Sequence, residues 1–149
     1  MSPRAAWRLE QFGFPDVADY GGGKMDWLAF GHAYEGTAVL AAGAVDTDVP
    51  TCRLDEHPAA VRGRMTGAGA TPCVVVNEHR VVMGLVTQQE LADDRAARIG
   101  DVMIFGVTTV RPSEDLDSLR DRMGRKGVDS IVVTRPDGTL VGVLRRAPP

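Results

Sequence analysis

Residues 51–86 overlay residues 109–144 without a gap, every position shifted by 58. Ten residue types recur under that shift. Thr51 meets Thr109, Arg53 meets Arg111, Glu56 meets Glu114, Arg62 and Arg64 meet Arg120 and Arg122, and Met65 meets Met123. Gly69, Val74, Val75 and Gly84 meet Gly127, Val132, Val133 and Gly142. So many coincidences in a gap-free overlay, with apolar residues meeting apolar ones elsewhere, mark two tandem copies of one supersecondary unit. The chain must fold as a pair of like units, and its function is to be sought there.

Each copy reads as strand, helix, strand, strand. In the second, residues 107–111 are a β-rich run closed by Pro112, Ser113 is placed to cap a helix, and Leu116, Leu119 and Met123 share one helical face. Gly127 suits the left-handed residue that ends such a helix. Residues 130–134 form an apolar strand, Arg135, Pro136, Asp137 and Gly138 supply turn chemistry, and residues 139–144 return. The first copy repeats these steps: Cys52 lies in its opening strand, Asp55 can cap, Val61 and Met65 line the helix, and Gly67 and Gly69 close it. Residues 73–77 then pair with 81–86 through a hairpin turn at 77–80. Residues 88–103 are polar at first and then carry Leu91, Ile99, Val102 and Met103 as packing residues, which predicts a helix and a short connector. The expected fold is α/β (α+β), with units at 37–92 and 93–149 behind a segment, 1–36, that belongs to neither copy.

Composition removes several function classes. The 149 residues, 44% hydrophobic and 25% charged, suffice for one compact core with a small appendage. A net charge of -3 and a pI near 5.6 offer no basic field to a phosphate backbone, so a nucleic-acid partner is not expected. No apolar run reaches the roughly 20 residues that span a bilayer, and the N-terminus lacks the order of a secretory signal. A cytoplasmic location without a membrane partner is therefore expected. The shift places Val110 and Ile131 opposite Cys52 and Cys73, so these cysteines are expected to be buried free thiols. His32, His57 and His79 share no ligand spacing, which leaves no metal site, and no Ser, His and acid grouping reads as catalytic. Gly21-Gly22-Gly23-Lys24 fails as a phosphate loop, because Ala18 stands where the first Gly is required and Met25 where Ser or Thr would hold magnesium.

The run from Thr109 through Pro112, Gly127-Val128-Asp129-Ser130-Ile131-Val132-Val133, and Asp137-Gly138-Thr139-Leu140-Val141-Gly142-Val143 resembles the cystathionine-β-synthase (CBS) domain, and Ile99 to Met103 fits the approach to one. The resemblance covers about residues 45–146 and implies a tandem CBS pair, or Bateman module: two β-α-β-β-α units packed sheet against sheet about a pseudo-twofold axis. It further implies a non-catalytic sensor, commonly a homodimer, that binds an adenosine derivative such as AMP, ATP or S-adenosylmethionine between the units and signals to a separate effector protein. The family's ribose and phosphate motif falls on Gly84, Thr87 and Glu90, with Glu90 where the family has Asp. A carboxylate there accepts from ribose hydroxyls, and a hydroxyl at a helix start favours phosphate. Thr87 capping a helix with Glu90 in its first turn reads equally well from the residues alone. In the second copy the motif has become Gly142-Val143-Leu144-Arg145-Arg146-Ala147, where Arg145 and Arg146 could meet a polyphosphate or be ordinary surface. Thr51, Thr71 and Cys73, with Thr109, fall where the family lines its adenine pocket. A pair whose clefts are empty, acting only as an interaction scaffold, is the alternative.

Residues 2–36 read as a helix with Ala5, Leu9 and Phe12 on one side, a stop at Gly13-Phe14, a short strand at 17–20, then glycines and a helix with Trp27. This order resembles the tail of a rhodanese domain, which implies a sulfur-transfer relative. Met1 stands where that family has the loop bearing its nucleophilic cysteine, and Cys52 and Cys73 belong to the other module, so no nucleophile is available and no enzyme activity is expected. Trp7, Phe14 and Trp27 are expected to cover the pair or a dimer seam.

Overall fold

The computed structural model describes residues 3–36, 39–65, 72–92 and 96–146. Two helices, α1 (Pro3–Gln11) and α2 (Gly23–Ala29), precede the repeats. After a short turn at Ala41–Ala44 come β1 (Val45–Asp46), β2 (Thr51–Cys52), α3 (Pro58–Met65), β3 (Cys73–Val76) and β4 (Val82–Val86). The second copy contributes α4 (Ile99–Val102), β5 (Thr109–Val110), α5 (Leu116–Lys126), β6 (Ser130–Thr134) and β7 (Leu140–Arg145). One sheet has the order β2-β3-β4 and the other β1-β7-β6-β5. In both, a short parallel strand lies beside a hairpin: Thr51 opposite Val74 in one, Thr109 opposite Val132 in the other. This α+β arrangement is the one the repeat predicts.

The two sheets meet about an axis that relates residues 58 apart. Val81 bridges Thr139, its own counterpart, and Val82 N–H donates to Gly138 O at 3.1 Å while Leu140 N–H donates to Arg80 O at 2.9 Å. Behind this bridge Val74, Val76, Val132, Leu140 and Val143 form an inter-sheet cluster, joined by Val49, Val82, Leu85 and Val107. Each unit also has a core under its own helix, Val61 and Met65 in the first and Leu116, Leu119 and Met123 in the second. Burial of each such side chain contributes roughly 1.5–3 kcal/mol, which makes these helix faces the main glue of the units.

The repeat reaches further back than its identities. Ala41 and Ala42 donate to Glu114 O and Pro112 O at 2.8 and 3.0 Å, and Ile99 and Gly100, their counterparts, donate to Glu56 O and Leu54 O at 2.9 Å each. β1 pairs with β7 through Asp46 opposite Val143, and Ile104 pairs with Leu85 in the equivalent place. Residues 40–46 therefore complete the sheet of the second unit, and residues 98–104 lie on the first. Gly142 and Gly84 make room for these crossings: a Cβ on Gly142 would lie 2.2 Å from Asp46 O, and one on Gly84 would lie 2.6 Å from Ile104 O.

Several local expectations shift. α5 starts after Asp115, whose carboxylate accepts from Ser118 N–H at 2.9 Å, and not after Ser113. The cause is visible one turn earlier, where the Glu114 carboxylate accepts from Arg111 N–H at 3.4 Å and Arg122 at 2.7 Å and delays the helix. Likewise Asp55 does not cap α3, which begins at Pro58 with His57 Nδ1 accepting from Ala59 N–H at 3.2 Å. Gly127 adopts the left-handed conformation expected of it, φ 64°. Gly67 and Gly69 lie outside the described residues. The helix expected within 88–103 is replaced by a single turn at Glu90–Ala92 and by α4, with Leu91, Ile99 and Met103 buried.

The expected strand at 17–20 does not form. α1 ends where expected, at a left-handed Gly13, with Gly13 N–H and Phe14 N–H donating to Glu10 O at 3.0 Å and Leu9 O at 3.3 Å. Trp7 and Phe14 do not cover the pair: they are 60% and 58% exposed. α2 touches the β6–β7 turn instead, where Arg135 lies 3.4 Å from the Asp26 carboxylate and 4.4 Å over the Phe30 ring.

Candidate functional site

β4 ends at Val86 and delivers Thr87 to the start of the Glu90–Ala92 turn. There Thr87 N–H donates to Glu90 Oε2 at 2.8 Å, the Thr87 hydroxyl donates to the same oxygen at 2.5 Å, and Gln89 N–H donates to Thr87 Oγ1 at 3.2 Å. This is a capping arrangement in which the Glu90 carboxylate reaches back to Thr87 N–H while the Thr87 hydroxyl oxygen accepts from Gln89 N–H. Burial works to raise the Glu90 carboxyl, but the hydrogen bonds from Thr87 outweigh it and hold the group below the ordinary carboxylate range. Glu90 is thus a carboxylate whose Oε2 is committed to Thr87. Gly84, three residues earlier, is buried under Ile104 and Met103.

The other expected site residues are placed apart from this turn. Thr51 is half-buried in β2 beside Val74. Cys73 is 1% exposed and packs in the first unit's core with Cys52, and both thiols are free. Its hydrogen bond to Cys73, together with burial, pushes the Cys52 thiol up, so it is neutral and unreactive. Thr71 lies outside the described residues. Arg145 faces Asp46 across the β1–β7 pair at 3.5 Å, and Arg146 pairs with Asp129 at 2.8 Å, so each arginine already has an acid.

A cavity of about 180 Å³ opens where β5 and β6 begin beside the end of α5, lined by Val107, Thr108, Met123, Val128, Ser130 and Ile131 with Arg122 and Lys126 at its polar side. Sequence reasoning missed these residues. The signal was the 58-residue shift itself, which carries Cys73 onto Ile131 and Thr51 onto Thr109, next to Thr108. Leu85, two residues before Thr87, and Val107, in the cavity wall, pack against the same inter-sheet cluster. Among the described residues no group of three or more His, Cys, Asp or Glu is arranged to hold a metal ion, and no helix is long and apolar enough to cross a membrane.

Residues 99–147 match the family model of the CBS domain. Solved structures share the wider fold. The CBS domain pair of protein MJ0100, in complex with 5'-methylthioadenosine and S-adenosyl-L-methionine, superposes with a TM-score of 0.64 at 16% identity over 74% of this chain and 91% of that one. An acetoin utilization protein (AcuB) from Vibrio cholerae gives 0.67 at 17% identity over 73% and 85%. The cytosolic domain of the Mg2+ channel MgtE, in complex with ATP, gives 0.64 at 20% identity over 71% of this chain, which spans only 45% of that structure. The second repeat is therefore similar to the CBS domain, and the two repeats together share the fold of the solved CBS pairs.

Proposed function

We propose that this chain is a regulatory, non-catalytic module that binds an adenosine derivative of the AMP, ATP or S-adenosylmethionine class and relays its presence to a separate effector protein. The carrying observation is the apolar cavity between β5, β6 and α5 with Arg122 and Lys126 on one side. Its volume is below the roughly 300 Å³ at which pockets enclose a whole drug-sized ligand, so it would take one planar ring system and leave a charged remainder at the rim. Two of the solved structures of like fold were determined with adenosine compounds bound, which supports that class. Thr87 hydroxyl and the second oxygen of Glu90 are the polar groups we assign to the ribose or phosphate, with Gly84 making room for the crossing at Ile104 behind them. Thr51, Thr71 and Cys73 would line the equivalent position in the first unit. Arg145 would reach a polyphosphate only by leaving Asp46.

A second reading is favoured by those local pairings: with Glu90 given to Thr87 and Arg145 to Asp46, the pair would be a ligand-free interaction scaffold. Thermal denaturation with AMP, ADP, ATP, S-adenosylmethionine and NADH at millimolar concentration separates the two. Saturation near 100 times the dissociation constant adds about 2.7 kcal/mol to stability, a shift of several degrees at this size. A shift lost in both Thr87→Ala and Lys126→Ala supports the sensor, whereas no shift with any compound supports the scaffold. We read the rhodanese-like segment as a packing element and not a sulfur-transfer site, since both cysteines are buried in the first unit's core. Thiosulfate-to-cyanide transfer by the purified chain would overturn that.

A further inference from the structure

We propose that the groove between Tyr20 and α2 is a binding site for a small zwitterion with a quaternary ammonium at one end and a carboxylate at the other. This inference is independent of any adenosine ligand. The groove encloses about 450 Å³ and is lined by Ala18, Tyr20, Gly23, Lys24 and Trp27. Such a volume falls within the roughly 300–1,000 Å³ of small-molecule sites. Tyr20 and Trp27 stand edge to face, their planes at 88° and their centroids 5.3 Å apart, and both remain more than a third exposed.

Both rings are held in place by their polar ends. Tyr20 hydroxyl donates to Asp26 Oδ2 at 3.3 Å and Trp27 Nε1 donates to Ala33 O at 2.8 Å, which leaves the ring faces as what the groove presents. His32 braces Trp27, their centroids 4.5 Å apart. Gly23 takes the left-handed conformation, φ 69°, and its N–H donates to Tyr20 O at 3.0 Å, so the chain turns into α2 directly beside the Tyr20 ring. Lys24 and Trp27, three residues apart on α2, then fall on one side of the helix. Asp26 adds no uncompensated charge, because Arg135 Nε lies 3.4 Å from its Oδ1.

The class of ligand follows from the two ring faces and the lysine. An aromatic face is negative and attracts a cation, Trp most strongly. A flat molecule would cover only one of two perpendicular faces, whereas a rounded trimethylammonium head touches both. Such a head has no hydrogen to donate and needs no acceptor, which suits a groove walled by ring faces. The Lys24 ammonium would repel a bare cation, so the same molecule must bring an anion to it. Among the described residues Lys24 makes no hydrogen bond, ion pair or ring contact of its own, which leaves its charge to meet a carboxylate.

Titration of the full chain with trimethylglycine, followed by nuclear magnetic resonance of the Trp27 indole N–H, tests this. Trp7→Phe, at an exposed position, assigns that signal by removing the other indole. A saturable shift with a millimolar dissociation constant is expected. The anion of tert-butylacetic acid has the same shape without the positive charge and should bind about tenfold more weakly. Choline keeps the head but lacks the carboxylate, and should bind about threefold more weakly. Lys24→Glu changes an exposed side chain and should reverse the last order, choline then binding better than trimethylglycine. No saturable shift, equal binding of the analogue without the cation, saturable shifts confined to residues outside 18–33, or an unchanged order in Lys24→Glu would each overturn the proposal.

Discussion

Replacing Gly142 by Ala and Gly124 by Ala makes the same chemical change in one chain with opposite expected signs. At Gly142 the added Cβ would stand 2.2 Å from Asp46 O, 2.6 Å from Val45 Cγ1 and 2.9 Å from Asp46 C. Ordinary contact begins near 3.4 Å, so β1 must retreat by more than 1 Å. Because Asp46 lies opposite Val143 and Val45 opposite Leu144, that retreat stretches the whole β1–β7 ladder. Overpacking of this kind costs about 1–3 kcal/mol, and each strained backbone bond adds about 1 kcal/mol. Against this, Ala restricts the unfolded chain and returns roughly 0.5–1 kcal/mol. The net loss is about 3 kcal/mol, a midpoint lower by about 6–12 °C for a chain of this size. Gly124 sits exposed in α5 with nothing within 4 Å of its would-be Cβ, so Gly124→Ala should gain roughly 0.5–1 kcal/mol. Urea denaturation followed by far-ultraviolet circular dichroism reads both. If Gly142→Ala stays within about 0.5 kcal/mol of the unaltered chain, the crossing of β1 over β7 is not the tight contact described here.

The remaining expectations concern the site and the core. Calorimetric titration with an adenosine compound that stabilises the chain should give one site per chain, because the position equivalent to Thr87 is Arg145, already paired with Asp46; a stoichiometry of two would refute the asymmetry. Glu90 is held below its ordinary value of 4.5 by Thr87, so its contribution is present above that value and lost as pH falls through the lower folded value. Glu90→Gln should therefore flatten the acid limb of the stability curve and leave its neutral plateau less changed, and an unaltered acid limb would count against the capping pair. Native Cys52 and Cys73 should react with a thiol reagent only as fast as the chain unfolds. The pair Cys52→Val with Cys73→Ile, which copies Val110 and Ile131, should cost less than about 1.5 kcal/mol.

What could be read from the sequence was whatever repeated with its chemistry intact. Val74 and Val75 against Val132 and Val133 gave both central strands, and Met65 against Met123 gave both helix faces, because burial tolerates few substitutes. The crossing segments escaped notice for the opposite reason. Ala41 meets Ile99 and Asp46 meets Ile104, so their equivalence rests on backbone hydrogen bonds that leave no mark on residue type. Helix starts were misplaced by two residues, His57 and Asp115 capping in place of Asp55 and Ser113, because Glu56 and Glu114 accept from Arg53 N–H and Arg111 N–H and hold a turn where the helix was expected to begin. At the candidate site the capping pattern Thr87 to Glu90 was legible from its spacing. The cavity was not, since Val107, Thr108 and Ile131 look like ordinary strand residues until the end of α5 is set beside them.

The pairing of β1 with β7 also fixes an order of events during synthesis. Val45 leaves the ribosome about a hundred residues before Leu144, and until then its partner strand does not exist. The first unit needs only residues up to Ile104 to close its sheet, so it can form while the second is still being made. Closing a loop of that length is slow compared with forming a hairpin, and the nascent chain must carry Val45 and its neighbours unpaired throughout. The strand translated about a hundred residues later is thus the one that locks β1 in place, and completion of β7 is the step that turns two half-built units into one.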